Sequence, residues 1–249
     1  MRTACFISHG RHIKGSLDGK YLLASEGSKY DPSEVTWLPP VEPTKMIGLV
    51  LNYADHANEL GLSPSNEPIL FLKPINTLIG HLGKIVYPNE ATYMHYEAEF
   101  AVVIGRRARR ISADKASEFI QGYAIANDVT VRDFITNTFR PPVRAKGFDT
   151  FCPLGPYLVS PQEIADISNL NIKTLVNGEL RQEGNTRNLI HSVPKLIEFI
   201  SSFMTLELGD VILTGTPKGI SPIVPGDKVE ISIDSLGTLT NFVEAERQN

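Results

Sequence analysis

Short apolar runs, each closed by Gly, Asp, Asn or Pro, recur along the chain, and this texture predicts strands over most of its length. The expected strands are Thr3 to Ile7, Lys20 to Ala24, Met46 to Leu51, Ile69 to Leu72, Glu97 to Ile104, Tyr123 to Asn127, Asn171 to Val176, Val211 to Thr214, Lys228 to Ile233 and Leu239 to Val243. Helices are expected to be few and short. Ser112 reads as an N-cap for a helix to about Ile120. Ser192 reads as another, with Pro194 in the first turn and Val193, Leu196, Ile197, Ile200 and Met204 recurring at helical spacing as a core stripe. The sharpest local signal is Asn177-Gly178, a pair that accepts the positive φ angles of a two-residue hairpin turn. Gly209-Asp210 and Gly226-Asp227 mark further turns. Strands joined by such turns, with few helices and no βαβ alternation, predict a mixed, mainly-β fold with a barrel-like core. Pro39, Pro40 and Pro43 end regular structure, so the chain is expected to divide into a small β extension, residues 1–42, and a larger unit, residues 43–249.

Composition narrows the function classes. With 249 residues and 42% hydrophobic content, the chain has ample material for a core without disulfide or metal staples. Its net charge is −4, and the single basic run, Arg106-Arg107-Ala108-Arg109-Arg110, follows a strand and reads as a solvated turn; no nucleic-acid partner is expected. No stretch reaches membrane-span length and the start lacks a secretory pattern, so a cytoplasmic protein with no membrane partner is expected. Cys5 and Cys152 are isolated from each other and from other ligand types, which favours two core thiols over a bridge.

Chemistry concentrates in three carboxylates. Side chains two apart on a strand share a face, so Glu97 and Glu99 point the same way, and Asp128 closes the apolar run Ala124-Ile125-Ala126-Asn127. Two adjacent acids on a hydrophobic strand require either a cation or a raised pKa. All-oxygen donors point to Mg²⁺ or Mn²⁺, with Ca²⁺ possible, over zinc or copper. Three protein ligands would leave coordination positions open to a chelating substrate. On an edge strand, by contrast, the two glutamates would simply face solvent and Asp128 would cap a helix. Upstream, His56 and Glu59 are three apart and become neighbours if Asn52 to Leu60 is helical, forming a carboxylate–imidazole pair suited to proton transfer near neutral pH. A chance pair on a surface helix would have the same spacing.

Several segments follow one another in order: Asn52-Tyr53-Ala54-Asp55-His56, Phe71-Leu72-Lys73-Pro74, Tyr93-Met94-His95-Tyr96-Glu97-Ala98-Glu99, Arg144-Ala145-Lys146-Gly147-Phe148-Asp149, Val176-Asn177-Gly178-Glu179-Leu180-Arg181-Gln182 and Leu213-Thr214-Gly215-Thr216-Pro217-Lys218-Gly219. Together they resemble the fumarylacetoacetate hydrolase family from about Met46 to Val243, and within it the decarboxylase/isomerase branch of 4-hydroxyphenylacetate (homoprotocatechuate) catabolism. The stretch from Gly147 to Pro156 is more similar to the general family, acylpyruvate hydrolases included. The resemblance implies a β-roll or barrel with short helices, a Mg²⁺ or Mn²⁺ cofactor and a homodimer. It assigns Glu97, Glu99 and Asp128 as metal ligands and Lys146 as a catalytic lysine beside the metal. His56 and Glu59 become a catalytic dyad on a mobile lid, with Thr216, Arg132 and Lys73 as substrate contacts and His95 in a supporting position.

The implied substrate is a small 2-oxo acid or diacid whose carboxylate and oxo oxygens chelate the metal, so that an enolate is stabilised as CO₂ leaves or a proton shifts. The same residues would serve hydrolysis of an acylpyruvate or fumarylpyruvate carbon–carbon bond, or decarboxylation of oxaloacetate. A non-catalytic, metal-stabilised binding protein is the alternative outside enzymology.

Overall fold

The computed structural model describes residues 1–59, 61, 65–135 and 141–247. Two sheets and one helix of three turns account for most of the core. In the larger sheet the strands run in the order Lys29–Tyr30, Tyr21–Ala24, Arg11–Asp18, Arg2–Ser8, Cys152–Val159, Ile120–Asn127, Ala98–Ile104, Val211–Leu213, Met46–Val50, Ile69–Lys73. The smaller sheet runs Glu179–Asn185, Asn171–Val176, Lys228–Ile233, Gly237–Ala245, Lys84–Tyr87. This is the mixed, mainly-β architecture with short helices that the turn-punctuated pattern predicts.

Ala98–Ile104 is buried on both faces, which explains its unbroken apolar run. Phe100, Val102 and Ile104 join the main core with Ile172, Val229 and Ile231 of the smaller sheet and Leu196, Ile197 and Ile200 of the helix Val193–Phe203. Ala101 and Val103 face a second cluster with Met46, Ala126, Leu154 and Leu213. The residues of the first 38 that form strands extend the larger sheet through Arg2↔Val159 and Thr3↔Leu158, and carry a small cluster of Ala4, Phe6, Leu22 and Trp37. Cys5 and Cys152 are both unpaired, and Cys152 is buried.

The Asn177-Gly178 turn forms as expected, with φ of 54° and 83° joining two antiparallel strands. Ser192 begins the helix Val193–Phe203, although its side chain makes no capping bond. The segment after Ser112 differs from expectation. Ala113–Phe119 winds as 3₁₀ turns, tied to the long helix by a bond from the Ala113 N–H to Glu198 Oε1 (3.0 Å). The basic run also does more than stay solvated: Arg109 donates to the carbonyls of Ser201 and Ser202, satisfying acceptors that the end of that helix leaves open. No helix among the described residues is long and apolar enough to cross a membrane.

Candidate active site

Antiparallel pairing assembles the three carboxylates. The register Ala98↔Asn127 and Glu99↔Ala126 places Glu97, just before one strand, beside Asp128, just after the other. Two bonds lock the junction: the Asp128 N–H donates to Glu97 O (2.9 Å), and the Glu97 N–H donates to Asn127 Oδ1 (3.0 Å). One carboxylate oxygen from each of Glu97, Glu99 and Asp128 then lies within 4.8 Å of the others, and all three residues are buried.

The three acids are compensated unequally. Lys146, at the end of the short helix Val143–Lys146, donates to Glu97 Oε2 (2.9 Å), Asp128 Oδ2 (2.5 Å) and Thr130 Oγ1 (2.7 Å). Burial alone would lower the pKa of this ammonium, but the charges of Asp128 and Glu97 outweigh it and raise it above the ordinary lysine value. Lys73 donates to Asp128 Oδ1 (2.6 Å), and Arg132 lies 3.3 Å from Glu97 Oε1. Burial pushes the Asp128 carboxyl up, yet Lys146 and then Lys73 hold it below its usual value. Among the described residues Glu99 has no such partner. Its one hydrogen bond among the described residues comes from the Gly215 N–H to Oε2 (2.6 Å), and burial, followed by the charge of Asp128, pushes its carboxyl well above the usual range. A buried carboxylate that no cation contacts among the described residues, beside two that also offer oxygens, is the arrangement a hard divalent ion would complete. The donor set therefore fits Mg²⁺ or Mn²⁺.

A loop continues from this cluster to the proton-transfer pair. After Val211–Leu213, which pairs with Ala98–Ile104, the Thr214 hydroxyl donates to Phe100 O (2.8 Å) and Gly215 turns its N–H onto Glu99. Gly215 has φ +97°, and a Cβ there would stand 3.2 Å from that of Asn52, so the turn requires glycine. Asn52 holds the same loop by donating to Thr214 O (2.9 Å). Four residues on, the Gly219 N–H donates to Glu59 Oε1 (3.1 Å). Glu59 Oε2 in turn meets His56 Nδ1 at 3.0 Å within the helix Ala54–Glu59, the i,i+3 contact that the spacing anticipates. A carboxylate only accepts, so Nδ1 carries the proton and Nε2 of neutral His56 keeps the lone pair. Residues 60 and 62–64 of the expected lid lie outside the described residues.

Some placements differ from those read from sequence. Lys73 is 2% exposed, and its ammonium is taken up by Asp128 Oδ1, Lys146 O (2.8 Å) and Val129 O (3.4 Å). That leaves it no donor for substrate, in contrast to the contact expected of it; its geometry is that of an internal counter-charge. Arg132 is held against Glu97 and remains partly exposed. His95 is buried, makes no hydrogen bond through either ring nitrogen among the described residues, and is held neutral, its pKa lowered to about 4 by burial and then by Arg132. Asn127, Thr130 and Gln182 were assigned no role from sequence. Asn127 closes the apolar run before Asp128 and Gln182 closes the segment 176–182, but an amide in a strand carries no sign of what it will face.

Comparison with known proteins follows the same outline. Residues 45–244 match the family described as Fumarylacetoacetate (FAA) hydrolase C-terminal. A 4-hydroxyphenylacetate degradation bifunctional isomerase/decarboxylase from Salmonella dublin is 48% identical over 212 residues, covering 85% of this chain and 49% of that protein. The chain thus spans about half the length of that relative. The crystal structure of 5-carboxymethyl-2-hydroxymuconate delta-isomerase from Mycobacterium smegmatis is 40% identical, with a TM-score of 0.90 and full coverage of both chains. Maleylpyruvate hydrolase from Sphingobium sp. SYK-6, in complex with manganese(II) and pyruvate, is 28% identical with a TM-score of 0.86, covering 99% of this chain and 100% of its own.

Proposed function

This chain belongs to the fumarylacetoacetate hydrolase family, and from that premise we propose that it is a divalent-metal-dependent enzyme acting on a small 2-oxo acid or diacid, as a decarboxylase/isomerase of 4-hydroxyphenylacetate catabolism. The observation that carries the proposal is Glu99, buried beside Glu97 and Asp128 with no cation in contact with it among the described residues. Glu97, Glu99 and Asp128 would hold the ion. When bound, it supplies Lewis-acid polarisation of the substrate's oxo group. Lys146 contributes fixed positive charge against these carboxylates and toward the developing oxyanion. Thr216 and Arg132 orient the substrate carboxylate.

His56 moves the proton. Because Glu59 fixes Nδ1–H, Nε2 is the atom that accepts a proton from the substrate or from water and returns it to carbon. His56→Ala is expected to lower turnover about 10²- to 10⁴-fold while leaving metal affinity unchanged. Steady-state rates beside a calorimetric Mn²⁺ titration check this, and an unchanged rate would remove His56 from the chemistry.

Hydrolysis of an acylpyruvate is the second reading, supported by the maleylpyruvate hydrolase that carries manganese and pyruvate on the same fold. There Nε2 would deprotonate a water adding to the acyl carbonyl carbon; the carbon–carbon bond then breaks with the pyruvate portion leaving as its enolate, to which the proton returns. Incubating the protein with Mg²⁺ or Mn²⁺ and oxaloacetate, acylpyruvates or the homoprotocatechuate intermediate separates the readings by product: CO₂, a cleaved acid or a shifted double bond. Mg²⁺ as the ion in use and homodimeric assembly belong to the same proposal, read out by the metal dependence of turnover and by sedimentation. No turnover on any of these substrates, with metal bound, would favour a non-catalytic, metal-stabilised binding protein.

A further inference from the structure

The loop between Glu99 and Glu59 is held at its middle by a side chain from the smaller sheet. Gln182 lies on the edge strand Glu179–Asn185, paired with Thr174, and is 1% exposed. Its Nε2 donates to Pro217 O (2.8 Å) and to Thr216 Oγ1 (2.9 Å), while its Oε1 accepts from the Thr174 hydroxyl (3.0 Å). The contact is close: a Cβ at Gly184, two residues further on, would fall 2.3 Å from Pro217 Cβ.

These bonds have only one consistent direction. A carbonyl oxygen cannot donate, so the Gln182 atom facing Pro217 O must be the NH₂ group. Its second hydrogen then points at Thr216 Oγ1, which must accept. The Thr216 hydroxyl therefore keeps its own hydrogen for another acceptor, and among the described residues it has no other partner. Thr216 is 5% exposed and sits between Gly215, bonded to Glu99, and Gly219, bonded to Glu59.

We propose that Gln182 is a positioning residue that sets the Thr216 hydroxyl as a hydrogen-bond donor toward an anionic or oxo oxygen of the substrate. The inference rests on the reading of the carboxylate cluster as a metal site that takes a 2-oxo acid, and it adds the polarity of the group facing that acid. The site would then discriminate against a substrate presenting a donor-only group, such as an ammonium or amide N–H, at this position, because two donors would face each other.

The test is calorimetric titration of oxalate into the protein saturated with Mg²⁺, with Mg²⁺ affinity and thermal midpoint measured alongside. Thr216→Val, which removes the hydroxyl, is expected to weaken oxalate about 10-fold or more, the range of a hydrogen bond to a charged group. Thr216→Ser should retain affinity. Gln182→Met should weaken oxalate several-fold with Mg²⁺ affinity unchanged, and the Gln182→Met/Thr216→Val double variant should bind no more weakly than Thr216→Val alone, since both act through one hydroxyl. Thr174→Val, which removes only the donor to Gln182 Oε1, should shift oxalate affinity in the same direction and serves if Gln182→Met does not fold. Additive losses, or a Gln182→Met protein with wild-type oxalate affinity, would overturn the inference alone. A wild-type protein that binds no oxalate with Mg²⁺ would overturn the 2-oxo acid reading and this inference with it.

Discussion

Glu99→Gln is expected to abolish divalent-metal binding and to lower turnover at least ~10³-fold, while leaving the metal-free chain as stable as the wild type or more so. The two effects have one origin. Burial and Asp128 push Glu99 well above its ordinary ionisation, the charge of Lys146 offsets this only in part, and among the described residues no lysine or arginine contacts it. Glutamine has the same shape and keeps an oxygen for the Gly215 N–H, but needs no counter-charge. Raising an acid's pKa in the folded state means that the unfolded chain releases the proton first as pH rises. The Glu99 contribution to wild-type stability in EDTA should therefore fall from about the ordinary carboxylate value of 4.5 upward, toward the raised folded value. Glutamine lacks this dependence, so the stability gap should widen with pH over that window. Urea unfolding in EDTA at several pH values, beside Mn²⁺ titration, checks both halves. A variant that still binds Mn²⁺ and turns over would remove Glu99 from the site, and one that loses stability in EDTA would mean the charge is already compensated.

Lys73→Met should act in the opposite sense, destabilising the protein by about 3–5 kcal/mol because it leaves a buried carboxylate partly uncompensated. For a chain of this size that corresponds to a fall in thermal midpoint of roughly 6–10 °C. The ammonium bridges Asp128 to the carbonyl of Lys146, so its loss frees both a proposed metal ligand and the lysine beside it. Methionine fills a similar volume, so the loss would be electrostatic and not a cavity effect. A variant with a wild-type midpoint and a raised KM would instead restore Lys73 to the substrate-binding role expected from sequence.

How well elements could be read from sequence followed how local their causes are. The strands Asn171–Val176 and Lys228–Ile233 have the predicted bounds because an Asn-Gly turn and a Gly-Asp turn punctuate them. Cys152–Val159 was missed because Pro153, Gly155 and Pro156 read as breakers, yet it lies in the larger sheet between Ile120–Asn127 and Arg2–Ser8 and also pairs with Leu78–Ile79. Arg11–Asp18 and Glu179–Asn185 were missed because they are polar, and their strand character comes from pairing with a neighbour. In the site, the proximity of Glu97, Glu99 and Asp128 was legible from a two-residue period and an apolar run ending in an acid. The inward path of Lys73 and the amide of Gln182 facing Thr216 were not, since both depend on which distant carbonyl the folded chain places within reach.

Glu97, Glu99 and Asp128 are expected to share one divalent ion with positions left for substrate. Anomalous diffraction from crystals grown with Mn²⁺ and oxalate tests it most directly. The expected result is a single manganese peak at about 2.0–2.3 Å from an oxygen of each of the three residues, with oxalate filling further positions. A peak elsewhere, or none beside these carboxylates at saturating Mn²⁺, would contradict the account.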